Sequence, residues 1–248
     1  MLTYIAGGLL GDFISSLYVC KAYFRASGHK AIVLISDKGD KFRFGTQKAY
    51  EDVKSLLLAQ DYIENCQVYT GQYYDVDLTV WRSSPHLFKA SWSHVFNTCY
   101  GIDNWGKDAW IVPRVSIPEH KDTIFFNSSM IRYIAHFPYE KLHSLNKKVV
   151  FLCFHASEAQ AFFEKSGVTM DVCVVKDVED MATHIVSCYG FIGNCSSPLA
   201  ICIATNKYCL GILGHASNPD AVHAKDLVIP NYHYWCDENT NSLAIEDF

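Results

Sequence analysis

The chain has 248 residues, half of them hydrophobic, with a formal net charge of −5 and no run of lysine or arginine. That is enough apolar material for one large core or two small ones, and the charge balance excludes the phosphate-tracking surface of a nucleic-acid binder. No basic residues precede the apolar start and Asp12 interrupts it, so neither a signal peptide nor a membrane span is expected, and the chain is read as soluble and cytoplasmic.

A short apolar strand, Leu2 to Ala6, runs into glycines at 7, 8 and 11, and a helix with apolar positions 13, 14, 17, 20, 23 and 24 follows until Gly28. This is a strand, a glycine turn and a helix start. Glycines let the backbone approach a ligand closely, and the unpaired amides of a first helical turn favour negative charge in front of them. Asp12 sits in that turn, where an acid either stabilises the helix dipole or faces whatever docks there. The dinucleotide fingerprint Gly-x-Gly-x-x-Gly would need glycine at position 6, which is alanine. The second strand, Ala31 to Ile35, ends in Ser36 and Asp37, where an acid that binds a nicotinamide cofactor's ribose is expected. An NAD(P)-dependent oxidoreductase is therefore one alternative, although the Tyr50 to Lys54 pair falls too early in the chain for the Tyr-x-x-x-Lys of reductases.

A polar connector from Ser36 to Gly45 leads to a helix over Thr46 to Gln60, with apolar residues at 49, 53, 56, 57 and 58. Gln67 to Tyr69 and Val76 to Trp81 read as short strands, residues 86 to 100 as a helix, and Trp110 to Val112 as the close of the first half. Pro113 and Pro118 mark a hinge. The second half restarts the alternation: strand Thr123 to Phe126, turn Asn127 to Ser129, short helix Tyr139 to Leu145, strand Lys148 to Phe154, and a helix from Glu158 to Lys165 that Gly167 ends. Strand Val172 to Val175, helix Val178 to Cys188, strand Gly190 to Ile192, turn Gly193 to Ser197, helix Pro198 to Thr205 and strand Tyr208 to Leu213 complete it. Such alternation implies parallel sheets covered on both faces, with ligands beyond the strands' carboxyl ends. The predicted organisation is a first domain over 1–118, a second over 119–228 and an aromatic tail over 229–248 that packs back across the hinge.

The ten cysteines form no Cys-x-x-Cys pair and the eleven histidines no His-x-x-x-His face, so buried, reduced thiols are expected and no metal site. Asn127-Ser-Ser129 and Asn194-Cys-Ser196 fit the glycosylation sequon, but without a secretory signal both are read as coincidental. Asp75 and Asp77 read as turn and strand-edge acids. In the second glycine turn, Ser196 and Ser197 are favourable N-caps and Pro198 a favourable first helical residue. Either they only cap the helix, or the same amides and hydroxyls hold a diphosphate.

Gly8-Leu-Leu-Gly-Asp-Phe-Ile-Ser-Ser-Leu resembles the N-terminal Gly-x-Gly-Asp signature of heptosyltransferase-type glycosyltransferases, glycosyltransferase family 9, and Phe191-Ile-Gly-Asn-Cys-Ser resembles their C-terminal donor loop. Between them, Leu56-Leu-Leu-Ala-Gln-Asp-Tyr-Ile, Asp75-Val-Asp-Leu-Thr-Val-Trp-Arg82 and Asn127-Ser-Ser-Met-Ile-Arg-Tyr with Phe137-Pro138 are similar to short proteins of this type from bacterial, phage and large-virus genomes. The resemblance covers most of residues 2 to 213 and implies a GT-B fold: two Rossmann-like domains with parallel sheets facing each other across a cleft, here in compact form. It further implies a nucleotide-diphosphate sugar donor, a glycan or other hydroxyl acceptor, and inverting transfer without a metal or other cofactor; for a viral source the setting would be the host cytoplasm.

Carried onto this chain, the resemblance makes Asp12 the general base, with Gly8, Gly11 and Arg82 on the acceptor side. Ser128, Ser129, Arg132, Glu158, Gly193, Asn194, Cys195, Ser196 and Ser197 become the donor side. Arg82 alternatively pairs with Asp75 or Asp77, Arg132 is alternatively a solvated arginine, and Glu158 alternatively only an acid in a helix's first turn. The family's donor loop commonly reads Gly-x-Asp-Thr-Gly with a histidine beyond it; here Asn194, Cys195 and Ser196 follow Gly193, and Leu199 stands in the histidine position. Backbone amides do not depend on those side chains, so the diphosphate cradle stands, while a non-catalytic nucleotide-sugar binder is a third reading.

Overall fold

The structure, a computed structural model, describes residues 1–214, 227, 229–236, 245 and 248. Strand β1 (Leu2–Gly7) enters helix α1 (Leu10–Ser27), which Gly28 ends in a left-handed cap at φ 72° with its N–H on the Phe24 carbonyl. Then come β2 (Ala31–Ser36), α2 (Thr46–Leu58), β3 (Ile63–Val68), β4 (Val76–Asp77) and α3 (Trp92–Tyr100). The second half holds β5 (Thr123–Asn127), β6 (Lys148–Cys153), α4 (Ala156–Ser166), β7 (Asp171–Val174), α5 (Val178–Ser187), β8 (Gly190–Asn194), α6 (Ser197–Ala204), β9 (Cys209–Gly214) and β10 (Tyr232–Cys236).

All pairings between these strands are parallel. They make a four-stranded sheet in the order β3-β2-β1-β4 and a six-stranded sheet in the order β10-β9-β8-β5-β6-β7. Each order reverses once, between β1 and β4 in the first sheet and between β5 and β8 in the second. At such a reversal the connections leave in opposite directions and open a crevice beyond the strand ends, which is where α/β sheets bind ligands. The glycine turn after β1 and the turn after β8 both fall at these points.

The lobes are joined below that level. Helix α1 packs on α6 and α2 on α5, so one apolar cluster runs from Phe13, Leu17 and Val53 in the first lobe to Met181, Ile185 and Ile201 in the second. This explains why every residue from Phe13 to Cys20 is buried, Ser15 and Ser16 included: α1 is covered by its own sheet and by the other lobe. Ser16 Oγ donates to the Phe13 carbonyl at 2.8 Å, and the indoles of Trp105 and Trp110 donate to the carbonyls of Ser15 and Ile14 at 3.2 and 2.8 Å. Burying each such large side chain contributes about 1.5 to 3 kcal/mol, so the stack of Trp92, Phe96, Trp105 and Trp110 against α1 is a principal brace of the first lobe.

Several expected elements differ. The strand expected from Val76 to Trp81 stops at Asp77, whose Oδ1 accepts from the Thr79 N–H at 2.8 Å and its hydroxyl at 2.7 Å and so turns the chain into a 3₁₀ turn at Val80–Ser83. The helix expected over 86–100 is broken at Ser91, which is extended (φ −63°, ψ 154°) and starts α3. The strand read at Gln67 to Tyr69 runs instead over Ile63–Val68, while the short helix expected at Tyr139 to Leu145 is present as a 3₁₀ helix over Tyr139–Ser144. At Trp110 to Val112, read as the close of the first half, the N–H groups of Trp110 and Ile111 donate to the Ala204 carbonyl at 2.8 and 3.1 Å and close the C-terminal end of α6. The tail joins the second sheet as β10 beside β9, while Ile229 lies against Gly106 of the first half, where an added Cβ would come within 2.6 Å of it. Residues 215–226, 228, 237–244, 246 and 247, and with them the expected boundary at 228, lie outside the described residues.

Candidate active site

The first turn is built around an arginine. Arg82, from the 3₁₀ turn after β4, has a side chain only 8% exposed; its guanidinium stacks on Trp81 at 4.7 Å and bonds Asp12 Oδ2 and, at 3.4 Å, Asp40 Oδ2. Gly8 (φ +97°) and Gly39 (φ +84°) leave the room for it, since a Cβ on either would lie 2.7 or 2.8 Å from Arg82 atoms. The glycine signature therefore accommodates a buried guanidinium. Of the alternatives for Arg82, neither Asp75 nor Asp77 is its partner: Asp75 accepts the Thr3 N–H, and Asp77 pairs with Lys38 at 2.6 Å. Gly11 faces the second turn, where a methyl would make only an ordinary van der Waals contact, 3.6 Å from Ser197 Cα.

The second turn is built around an amide. Asn194 is fully buried; its Nδ2 donates to Ser128 Oγ and to the carbonyls of Ser129 and Arg132 at 2.8–3.1 Å, and its Oδ1 accepts the Ser129 N–H at 3.0 Å. Asn127, also buried, donates to the Leu152 carbonyl at 2.8 Å and accepts from Ser196 Oγ at 3.4 Å. Arg132 donates to the Cys195 carbonyl at 2.5 Å. Ser196 takes the N-cap position of α6 but makes no side-chain cap bond; its hydroxyl turns to Asn127 and to the Asn194 carbonyl. The first-turn amides of α6 thus keep their donor capacity toward the space in front of them.

That space is a cleft of about 340 Å³ shared by both turns. Of the residues singled out from sequence, Gly11, Asp12, Ser129, Arg132, Glu158, Cys195, Ser196 and Ser197 line it. Gly8, Arg82, Ser128, Gly193 and Asn194 do not: they lie behind the wall and hold it. Gly193 has no room for a side chain, since a Cβ would meet the Phe191 ring at 2.7 Å and the Asn127 carbonyl at 2.9 Å. Glu158 Oε1 accepts the His155 N–H at 2.9 Å, so the acid does serve the start of α4 while lining the cleft.

Sequence reasoning missed one wall. The connector Ser36 to Gly45, read as merely polar, brings Phe42, Arg43 and Phe44 to the cleft, and Phe44, 61% exposed, meets His155 of the other lobe edge-on at 6.0 Å. Two aromatics around an arginine in an otherwise polar loop were the available signal. Lys48 and Lys176 also line the cleft and were not singled out. Asp37, the ribose-acid candidate of the oxidoreductase reading, accepts from Thr46 Oγ1 at 2.6 Å.

The acids that line the cleft are Asp12, Asp52 and Glu158, and Asp12 is the one in the first turn. Burial holds its carboxyl above the ordinary carboxylate range, opposed by the positive charges of Arg82 and Arg132 and reinforced by Asp40. Its Oδ2 is held by Arg82, while Oδ1 receives no hydrogen bond from any described residue. Among the described residues, no group of three or more His, Cys, Asp or Glu is arranged to hold a metal ion, and no helix is long and apolar enough to cross a membrane.

No protein-family profile and no curated protein matches the chain. Solved structures do. A glycosyl transferase of family 9 from Veillonella parvula DSM 2008 superposes with a TM-score of 0.60 at 14% identity, over 96% of this chain and 88% of that one. E. coli heptosyltransferase WaaC with ADP gives 0.58 at 9% identity, over 94% and 92%. TibC of enterotoxigenic E. coli H10407, an iron-containing dodecameric glycosyltransferase, gives 0.61 at 14% identity, over 97% and 70%. The chain has the two-lobed parallel α/β fold of GT-B proteins. These three structures are of glycosyltransferases, WaaC and TibC among them heptosyltransferases, in line with the sequence resemblance.

Proposed function

We propose that the protein is a glycosyltransferase that moves a sugar from a nucleotide-diphosphate donor to a hydroxyl acceptor, with Asp12 as general base. The observation that carries this reading is the shared cleft: a carboxylate with one oxygen available stands on one wall, and a helix start with uncapped amides stands on the other. WaaC has been solved with ADP and with ADP-2-deoxy-2-fluoro heptose, which makes a nucleotide sugar the donor class of choice here.

The chemistry follows from charge. The acceptor hydroxyl must lose its proton as it attacks the anomeric carbon, and Asp12 takes that proton. The new bond forms on the face opposite the departing nucleoside diphosphate, so configuration inverts. Negative charge grows on the leaving diphosphate, where the amides of Ser197 and Leu199, the Ser129 hydroxyl and Arg132 receive it. Pro198 contributes no N–H and fixes the helical start instead. On this reading neutralisation falls to Arg132 and backbone dipoles without a metal, the first lobe (1–118) binds acceptor and the second (119–228) binds donor, with 229–248 as its tail. Glu158 keeps Oε2 for a nucleoside hydroxyl, as Oε1 is engaged by His155.

The oxidoreductase alternative loses its two supports. The Gly8 turn is filled by Arg82, and the Asp37 carboxylate is engaged by Thr46. Calorimetric titration against UDP, GDP, ADP, TDP and NAD(P) species tests the choice: preference for a nucleoside diphosphate is expected, and preference for NAD(P) would overturn the proposal. Turnover of the preferred nucleotide sugar by wild type and Asp12→Ala then separates an enzyme from a binding protein. Loss of transfer with donor affinity retained is expected; a wild type without turnover would leave only the binder.

A further inference from the structure

Arg82 is more elaborately housed than a structural ion pair requires. It is nearly buried, two glycines with left-handed backbone are moulded to it, an indole faces it, and its Nε is buried without a hydrogen-bond partner among the described residues. Burying a charge is costly unless a charged neighbour compensates it. That neighbour is Asp12, engaged through Oδ2 alone.

We propose that Arg82 is a positioning residue: it fixes the Asp12 carboxylate by one oxygen and leaves the other for the acceptor hydroxyl, a role that rests on the glycosyltransferase reading above. Arg82 does not line the cleft, so it acts through Asp12 and touches no substrate. Without it the carboxylate would be free to rotate about its terminal torsion, a broad two-fold well, and proton acceptance would lose its direction. The guanidinium also favours the ionised form of an acid that burial pushes the other way. Three charged groups bear on that balance: Arg82 after β4, Arg132 after β5, and Asp40 in the loop after β2. Asp40 competes with Asp12 for the same guanidinium, at 3.4 Å.

The test is a ¹³C NMR titration of the Asp12 side-chain carboxyl in the substrate-free protein, in wild type, Arg82→Met, Arg82→Lys and Asp40→Asn. Loss of an opposite charge in contact raises a carboxyl midpoint by about one to three pH units, so Arg82→Met is expected to titrate that much higher and Arg82→Lys to recover most of the difference. Asp40→Asn changes an exposed side chain; it removes a like charge and frees the guanidinium, so its midpoint is expected below the wild type even should Arg82→Met not fold. In turnover, Arg82→Met lowers kcat at least about tenfold with the donor KM kept, and the acid limb of its pH profile moves up with the titration midpoint; a packing role alone would leave that limb in place. Midpoints equal to wild type in the folded variants would overturn the role while leaving Asp12-dependent transfer intact. A wild type that turns over no nucleotide sugar would overturn the parent reading and this role with it.

Discussion

The two strand-order reversals solve the same problem with opposite chemistry. Between β1 and β4 the turn carries a charged pair, Asp12 and Arg82; between β5 and β8 it carries neutral amides, Asn127 and Asn194, with every strong bond of Asn194 spent on the loop opposite. A buried charge demands a counter-charge, which is why the first turn needs the two moulded glycines. A buried amide is satisfied by backbone, so Asn194 holds the second turn through neutral bonds, with the Arg132 guanidinium added on the Cys195 carbonyl, and the helix start in front of it stays electropositive. The contrast is what the proposed division of labour needs, one wall to move a proton and the other to receive an anion.

The sharpest break of this contrast is Asp12→Asn, which keeps shape and removes the base. A fall in kcat of about 10² to 10⁴ with unchanged donor affinity is expected from steady-state rates and calorimetry. Its counterpart on the other wall is Asn194→Leu, which strips the loop 128–132 of its partners. Each buried group left unsatisfied costs about 1 to 3 kcal/mol, so chemical denaturation should show a loss of several kcal/mol, and a stability equal to wild type would mean the amide does not hold the wall. Arg132→Ala removes a charge without touching Asn194. Hydrogen bonds to charged groups are worth about 1.5 to 3 kcal/mol, so nucleoside diphosphate affinity should fall roughly 10- to 100-fold while the nucleoside alone binds as before.

The pH dependence follows from the direction of the Asp12 shift. Burial raises its carboxyl, so the base is lost as pH falls through a value above the ordinary carboxylate range, and the acid limb of kcat should lie above that range. A limb at an ordinary carboxylate position would detach the rate from this buried acid. The smallest effect is expected at Ser196→Ala: its hydroxyl turns away from the helix start, so stability should change by no more than about 1 kcal/mol.

The strand–turn–helix alternation was legible because parallel strands buried on both faces leave apolar runs, and Gly28 and Gly167 stop α1 and α4 where expected. That Asp12, Arg132 and Ser196 would face a ligand space was also legible, since each follows a strand in a turn, and all three line the cleft. The partner of Arg82 was not: the aspartates nearest in sequence are Asp75 and Asp77, and only the placement of β4 beside β1 brings Asp12 and Arg82 together. The Phe42–Phe44 wall was hidden for a related reason, because a loop's exposure depends on what the other lobe sets against it, here His155. Val76 to Trp81 misled through Asp77, a residue that ends strands by bonding its own backbone two residues on.

A co-crystal with the nucleoside diphosphate preferred in the calorimetric panel tests the central claim most directly. The account predicts the diphosphate against the amides of Ser197 and Leu199 and the Arg132 guanidinium, with Asp12 across the cleft from it. A diphosphate seated on the Gly8 turn, or anywhere outside the groove that Asp12 and Ser196 share, would contradict it.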